Sequence, residues 1–550
     1  MDAVLSIPEG KSDAIIYQIS LDQNQLDTIK LPPSLDGVKI KFVRSVAGIH
    51  GFWTPTEFFP QMRVAWSMDF TAAATRFTPF AMLLDVGLHN KLAIGVENLD
   101  DEVNIAVGFD ANHTECSITL TFQYNDHGNT IYLDTRPAPW QESVAAYRDW
   151  AKSAANLTNI KFPAAAYDPV YCTWYAFYAD FDEKMVEKCA SGAAELGFKT
   201  FILDDGWSFD TRKRTGADTP GIPWYAQIGD FEPSKNKFTN FTDHVKRVKA
   251  MKLRYLLWVT PVFVGCNSMA VKKYATAFRA KGPAGGMEMA IQDAKFAEYI
   301  HDTFIELARE NALDGFKVDF IDSYLPKIGT AVGERKGEYR KFLENLLTEL
   351  RQIKPEALVE FRLNYANLAM LRAATNFRVY DCPMDFLVNL KGAAFMHLML
   401  GDEVPIHSDP AYWAKDESAE NVSRHLMAAM AGVPMISTAP EQLSDTAKNV
   451  IRHLLKFYTA NQSILARAKW RIITAANGEF AALTANGAGK SFVYLLDVKY
   501  LAEALILTPQ DNEKWIFNFS NEVIPTQNNA FTPEGKFIAG KILPGALGKL

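Results

Sequence analysis

An α/β chain is predicted, built on a central (β/α)8 TIM barrel with an N-terminal β-sandwich and a small C-terminal β-domain, and three observations predict it. From about residue 166, compact apolar strands alternate with helical patterns, the signature of βα units around a parallel sheet. Eight such strands can be counted, the number a barrel needs. Before and after that region, short apolar runs alternate with turn residues, as β-rich layers do. An open doubly wound sheet is the rival, because a count of strands does not close a ring.

The strands read in order as "VYCTWYAF" (170–177), "TFILDDGW" (200–207), "RYLLWVTPVF" (254–263), "GFKVDFI" (315–321), "ALVEFR" (357–362), "FRVYDCP" (377–383), "EVPIHSD" (403–409) and "VPMISTA" (433–439). Helical periodicity fills 182–196, 241–252, 294–310 and 337–353 between them, and a last helix falls near 441–457. The flanks read as β through "GVKIKFVRSV" and "CSITLTFQYND" on one side and "RIITAANGEFAALTA" and "KSFVYLLDV" on the other. The expected domains are therefore 1–165, 166–465 and 466–550.

Composition narrows the function classes. With 550 residues, 48% apolar and 22% charged, the chain matches ordinary globular proteins and exceeds one hydrophobic core. A formal charge of −7 argues against nucleic acid or an anionic membrane as partner, and the basic run "TRKR" (211–214) reads as a solvated loop. No apolar run is long enough to span a bilayer. The start "MDAVLSIPEG" lacks the basic and apolar regions of a signal peptide, so a cytoplasmic location is expected if residue 1 is the native start. Five cysteines without a CxxC pair read as free thiols, and ten scattered histidines show no metal spacing, so neither metal nor cofactor is expected. The stretch "GPAGGMEMA" (282–290) lacks the Lys-Ser/Thr of a phosphate loop and reads as a flexible loop over the cleft. Self-association into a homo-oligomer stays open.

The informative residues are polar ones late in apolar strands, where a barrel builds its site. Strand two ends in Asp204, Asp205 and Trp207, strand four carries Lys317 and Asp319, strand five ends in Glu360 and Arg362, and strand six holds Arg378 and Asp381. Each buried charge costs several kcal/mol unless paired, on the order of the whole stability of a domain when summed, so a shared cleft that uses them is the simpler account. Alternation places Gly315, Lys317 and Asp319 on the inner face of strand four, and Phe316, Val318 and Phe320 outside against helices. Lys317, two residues deeper, is expected to keep Asp319 ionised, as a nucleophile requires. Asp381 is the second carboxyl by position, with Asp385, at the start of the next helix, as the other candidate. A gap of about 5–5.5 Å between the two carboxyls would suit retention and one of roughly 6.5–9.5 Å inversion. His407, Asp409, Trp258, Tyr412 and Trp413 are read as equally suited to structure or to substrate contact.

"FILDDGW", "IGDFEPSKNKF" (228–238), "FKVDF" and "FRVYD", in this order, resemble the α-galactosidase and raffinose-synthase group, glycoside hydrolase families 27 and 36, over roughly 166–460. The resemblance implies a retaining double displacement on a terminal α-linked sugar, with an oligosaccharide or small α-glycoside as substrate. It implies Asp319 as nucleophile and Asp381 as acid/base. It further implies Asp204 and Asp205 as binders of sugar hydroxyls, Trp207 as an apolar wall, and Lys317, Arg378, Glu360 and Arg362 as contacts that orient substrate and carboxylates. The chain departs from the group in "VEFRLNYANLAM", where many members carry a glycine-rich stretch, and in "GDF" for "GDW". Galactose hydrolysis is the first expectation. A raffinose-synthase-like transglycosylase, an α-glycosidase for another sugar, a non-catalytic carbohydrate-binding protein and a barrel enzyme using Lys317 for Schiff-base chemistry are the alternatives.

Overall fold

Apolar strands buried on both faces need a partner layer on each side, and the chain supplies it by following the barrel strands with amphipathic helices. In the computed structural model the described residues are 14–18, 24–33, 38–56, 58–59, 67–110, 112, 114–122, 127–210, 223–322 and 337–550. The chain start and the basic run at 211–214 lie outside them.

The barrel strands are β1 (Val170–Cys172), β2 (Thr200–Leu203), β3 (Arg254–Val259), β4 (Gly315–Val318), β5 (Leu358–Arg362), β6 (Asn376–Arg378), β7 (Ile406–His407) and β8 (Met435–Ile436). All pair in parallel with their sequence neighbours from β1 to β7, and β8 pairs with β1. A parallel bridge between His407 and Val433 joins the last gap, so the ring closes and the open doubly wound sheet is ruled out. Four helices, Glu183–Leu196, Phe241–Ala250, Ala294–Glu310 and Gly337–Ile353, fall within two residues of expectation, whereas the last, Asp445–Leu465, runs eight residues past its expected end and Ala419–Ala429 was not expected. Their starts are set by side-chain caps: Asp182 accepts from Met185 N–H, Asn240 from Asp243 N–H and Ser444 from Ala447 N–H.

Two sheets of five and six strands precede the barrel. Their facing residues, among them Ile40, Phe42, Ile105 and Ile118 of one and Leu83, Ile94 and Leu133 of the other, share one apolar core, which makes a sandwich. Alternate residues of the six-stranded sheet, Met82, Leu84, Ala93 and Tyr132, face the other way and join the core that runs through the barrel helices. The helix Trp140–Ala154 seals this junction, with Phe80 stacked on Tyr147 at 4.7 Å. A seven-stranded sheet follows the barrel, and its Phe492, Tyr494 and Phe517 also belong to the central core.

The glycine-rich stretch at 282–290 is not the flexible loop expected. Its Gly286–Met289 is the middle strand of a three-stranded antiparallel sheet with Phe263–Gly265 and Phe278–Lys281, inserted after β3. Gly286 is required there because a Cβ would sit 1.8 Å from the Phe263 ring. All five cysteines are free, and among the described residues no helix is long and apolar enough to cross a membrane.

Candidate active site

The C-terminal ends of β1 to β7 surround a polar cavity of about 130 Å³. Seven of the nine residues singled out in the sequence line it: Asp204, Asp205, Lys317, Asp319, Arg362, Arg378 and Asp381. Backbone pairing explains the convergence. Lys317 is in register with Trp258 on one side and Glu360 on the other, and Arg362 with Arg378, so adjacent strands deliver their polar residues at similar depth.

Asp319 lies just past the end of β4. Its Oδ1 accepts from the Phe320 N–H at 2.8 Å and lies 2.9 Å from Arg362 Nε, while Oδ2 accepts from the Trp258 indole at 3.2 Å. Burial would raise its pKa, but Arg362, then Lys317 and Arg378, outweigh that and hold it at about 2. The cation expected to do this was Lys317; it contributes, but Arg362 contributes more. Lys317 Nζ is 2.5 Å from Asp204 Oδ2, and Arg362 is the direct partner of Asp319. Burial works against the charge of Lys317 and Asp204 more than offsets it, which favours the protonated amine over the neutral one that Schiff-base chemistry needs.

The two aspartates after β2 differ in what they have left to offer. Asp204 is engaged at Oδ2 by Lys317 and the Cys172 thiol at 3.1 Å, and at Oδ1 by the Asp205 N–H at 2.9 Å. Asp205 Oδ1 accepts from Gly206 N–H at 2.7 Å, but Oδ2 has no hydrogen-bond partner although it is buried. Burial first, and Asp204 second, push the Asp205 carboxyl up to about 7. An orphaned carboxyl oxygen in a polar cavity is suited to a hydroxyl of a bound molecule. The turn that aims this pair rests on Lys237, the last lysine of "IGDFEPSKNKF", whose buried Nζ donates to Ala179 O at 2.8 Å and Gly206 O at 2.7 Å. Gly206 takes φ +104°, and a Cβ there would meet Ala179 at 2.8 Å.

Asp381 is exposed at the mouth, held by Arg378 at 3.0 Å. Partial desolvation by the surrounding walls and the facing Asp319 raise its pKa, yet Arg378, aided by Lys317 and Arg362, brings it below the ordinary aspartate value. Arg378 also binds Asp409, a fully buried carboxyl that lines the cavity, receives the Tyr175 hydroxyl at 3.2 Å and is pushed by burial to about 7. Asp385, the other candidate acid, does not line the cavity. It caps the helix Phe386–Leu400 by accepting from the N–H groups of Leu387 and Val388.

Two expected contacts are absent. Trp207 is fully buried away from the cavity, stacked on Phe241, and its indole donates to Trp258 O at 2.8 Å. The left-handed turn at Gly206 reverses the chain and sends the ring into the core. Glu360 lies behind Arg378 against His407, closed off from the cavity. The apolar walls come instead from Trp174, Tyr175, Tyr225, Trp258 and Phe320. Phe320 was expected outside the barrel, but its φ of +57° breaks the strand alternation and turns the ring toward the cleft. Tyr412 and Trp413 do not line the cavity; Trp413 packs on His425. Among the described residues no group of three or more His, Cys, Asp or Glu is placed to hold a metal ion.

Residues 145–323 match the family model described as Melibiase. The chain is similar to α-galactosidase C of Emericella nidulans, 33% identical over 124 residues, which is 22% of this chain and 16% of that protein. It is also similar to α-galactosidase 2 of Pediococcus pentosaceus, 22% identical over 267 residues, 43% of this chain and 36% of that one. The aligned parts thus span well under half the length of these curated relatives. Among solved structures, a GH36 α-galactosidase AgaA variant of Geobacillus stearothermophilus in complex with raffinose aligns with a TM-score of 0.62 at 15% identity, covering 94% of this chain and 72% of that one.

Proposed function

We propose that the chain belongs, through its barrel, to the α-galactosidase group and is a retaining exo-α-glycosidase that hydrolyses terminal α-linked galactose. The observation that carries this reading is the meeting of two carboxyls in one cavity, Asp319 deep inside it and Asp381 at its mouth. Asp319 is stripped of its proton by three cations, and Asp381 waits at the mouth beside Arg378.

In this reading Asp319 attacks the anomeric carbon while Asp381 gives its proton to the departing glycosidic oxygen, and the bond from carbon to that oxygen breaks. A glycosyl ester on Asp319 results. Asp381, now a carboxylate, takes a proton from water, whose oxygen displaces Asp319 from the anomeric carbon. Electrostatics drive the change of role: esterification removes the Asp319 charge that had favoured a proton on Asp381, so Asp381 becomes the weaker acid-holder when a base is needed. Asp205, with its unpartnered oxygen, is the hydroxyl reader of the aspartate pair, and Asp204 is fixed by Lys317. Substrates are small α-galactosides or oligosaccharides; the AgaA relatives solved in complex with raffinose and stachyose support that class.

The test is turnover of a chromogenic α-galactoside beside the α-glucoside and N-acetyl-α-galactosaminide. The expected result is preference for the first, and loss of nearly all hydrolysis in Asp319→Asn with an unchanged unfolding temperature. Sugar binding without turnover on any of the three would instead support a non-catalytic binding protein, and product analysis with a sugar acceptor separates hydrolysis from transglycosylation.

A further inference from the structure

Behind Arg378, on the side away from the cavity, lies a chain of buried polar groups that the double displacement leaves unused. It crosses three neighbouring strands, with Glu360 on β5, Asn376 on β6 and His407 on β7, each at most 1% exposed. Glu360 is in register with Asn376, and Arg378 with His407.

The hydrogen bonds of this chain have one consistent direction. Asn376 Nδ2 lies 2.7 Å from the Ala166 carbonyl oxygen, which can only accept, so that end of the amide is the NH₂ group. Its second N–H donates to His407 Nε2 at 2.7 Å, and the Thr375 hydroxyl donates to Asn376 Oδ1 at 2.6 Å. His407 Nε2 is therefore an acceptor. The ring proton sits on Nδ1 and is donated to Glu360 Oε2. Glu360 is thus anchored as an acceptor, and its other oxygen, Oε1, has no hydrogen bond of its own and lies 3.8 Å from an equally unpartnered Arg378 Nε.

Arg378 is consequently shared by three carboxyls: Glu360 behind it, Asp409 beside it and Asp381 in front. We infer that Glu360, locked by His407 and Asn376, is a positioning residue that sets how tightly Arg378 grips Asp381, and so when Asp381 can give up its proton. The inference rests on the reading of Asp381 as the acid/base. Removing the Glu360 charge leaves Arg378 with one counter-charge fewer, so Asp381 is held more firmly as a carboxylate. The other titratable groups facing Asp381, namely Tyr175 after β1, Asp319 and Lys317 from β4, Arg362 from β5, Cys382 beside it and Asp409 after β7, are the same in both forms.

Glu360→Gln keeps the volume and can still accept from His407. Its basic limb of kcat/KM is expected to move to lower pH by about half a unit or more. Its loss is expected to be larger on methyl α-galactoside, whose leaving oxygen needs a proton, than on 2,4-dinitrophenyl α-galactoside, whose does not. His407→Gln, which can donate to Glu360 and accept from Asn376, should keep the native limb, whereas His407→Leu leaves the Glu360 charge in place but frees it from its anchor to turn onto Arg378, so it should move the limb the other way, to higher pH; this pair carries the test if Glu360→Gln does not fold. Equal loss on both substrates with an unmoved limb, or no change at all, overturns the inference. A ¹³C-carboxyl titration of Asp381, identified by Asp381→Asn, reads the same grip without turnover. A lower midpoint in Glu360→Gln supports the inference even if the protein is inert toward α-galactosides, where only the functional reading fails, and an unchanged midpoint overturns it.

Discussion

At the residue scale the chemistry depends on which cation faces which carboxylate. Arg362 is the largest influence lowering the Asp319 pKa, and Phe320 lies under its guanidinium at 5.1 Å. The sign follows directly. The reactive form is the carboxylate, present above a folded value of about 2, so the acid limb of kcat/KM is expected near that pH, short of unfolding. Arg362→Met removes the main opposition to burial and should carry the limb upward, toward the ordinary aspartate value near 3.9. An unmoved limb in a pH–rate series would assign the control to Lys317 instead. The sequence showed these residues because charge inside apolar strands is rare and strand alternation tells which face it occupies. It did not show who pairs with whom, since Lys317 could equally have bonded Asp319 on its own strand or Asp204 two strands away. Trp207 misleads for a related reason: a tryptophan after a turn reads alike whether it walls a sugar or fills a core, and its burial is decided by Phe231 and Phe241, which arrive later in the chain.

At the element scale, β4 carries both Lys317 and Asp319, and its entry point is the tightest in the barrel. Gly315 has φ +151°, and a Cβ there would lie 1.7 Å from the Leu358 carbonyl oxygen of β5. Gly315→Ala must therefore push β4 and β5 apart. It is expected to lower both unfolding temperature and kcat, whereas Asp182→Ala, which deletes a helix cap outside the cavity lining, should cost about 1 kcal/mol of stability with a smaller effect on kcat. Thermal melts read beside kcat separate the two. Strand positions were legible because βα alternation repeats eight times, but the strands are shorter than their apolar runs. Residues such as Asp204 and Asp319 end the ladder and turn toward the cavity. The antiparallel insert after β3 was not legible, because glycines needed for close packing at Phe263 look the same in sequence as glycines of a loop.

At the scale of the whole molecule, one apolar core runs from the six-stranded sheet through the barrel to the C-terminal sheet. Trp53 meets Trp140 at 6.1 Å and Phe80 stacks on Tyr147, so the N-terminal sandwich covers apolar surface of the barrel layer. A chain lacking residues 1–135 is expected to be insoluble or to lose cooperative unfolding, as read by solubility and calorimetry; a soluble, active truncation would show the layers to be independent. The sandwich and the barrel could be read from their different rhythms, while their shared core could not, because it is written in alternate residues of strands that already have a partner sheet. The central claim is that Asp319 becomes bonded to the sugar. Incubation with 5-fluoro-α-galactosyl fluoride, followed by proteolysis and mass spectrometry, should place one fluorogalactosyl group on the peptide containing Asp319. An adduct on another carboxylate, or continued turnover of the fluoride without any adduct, would contradict it.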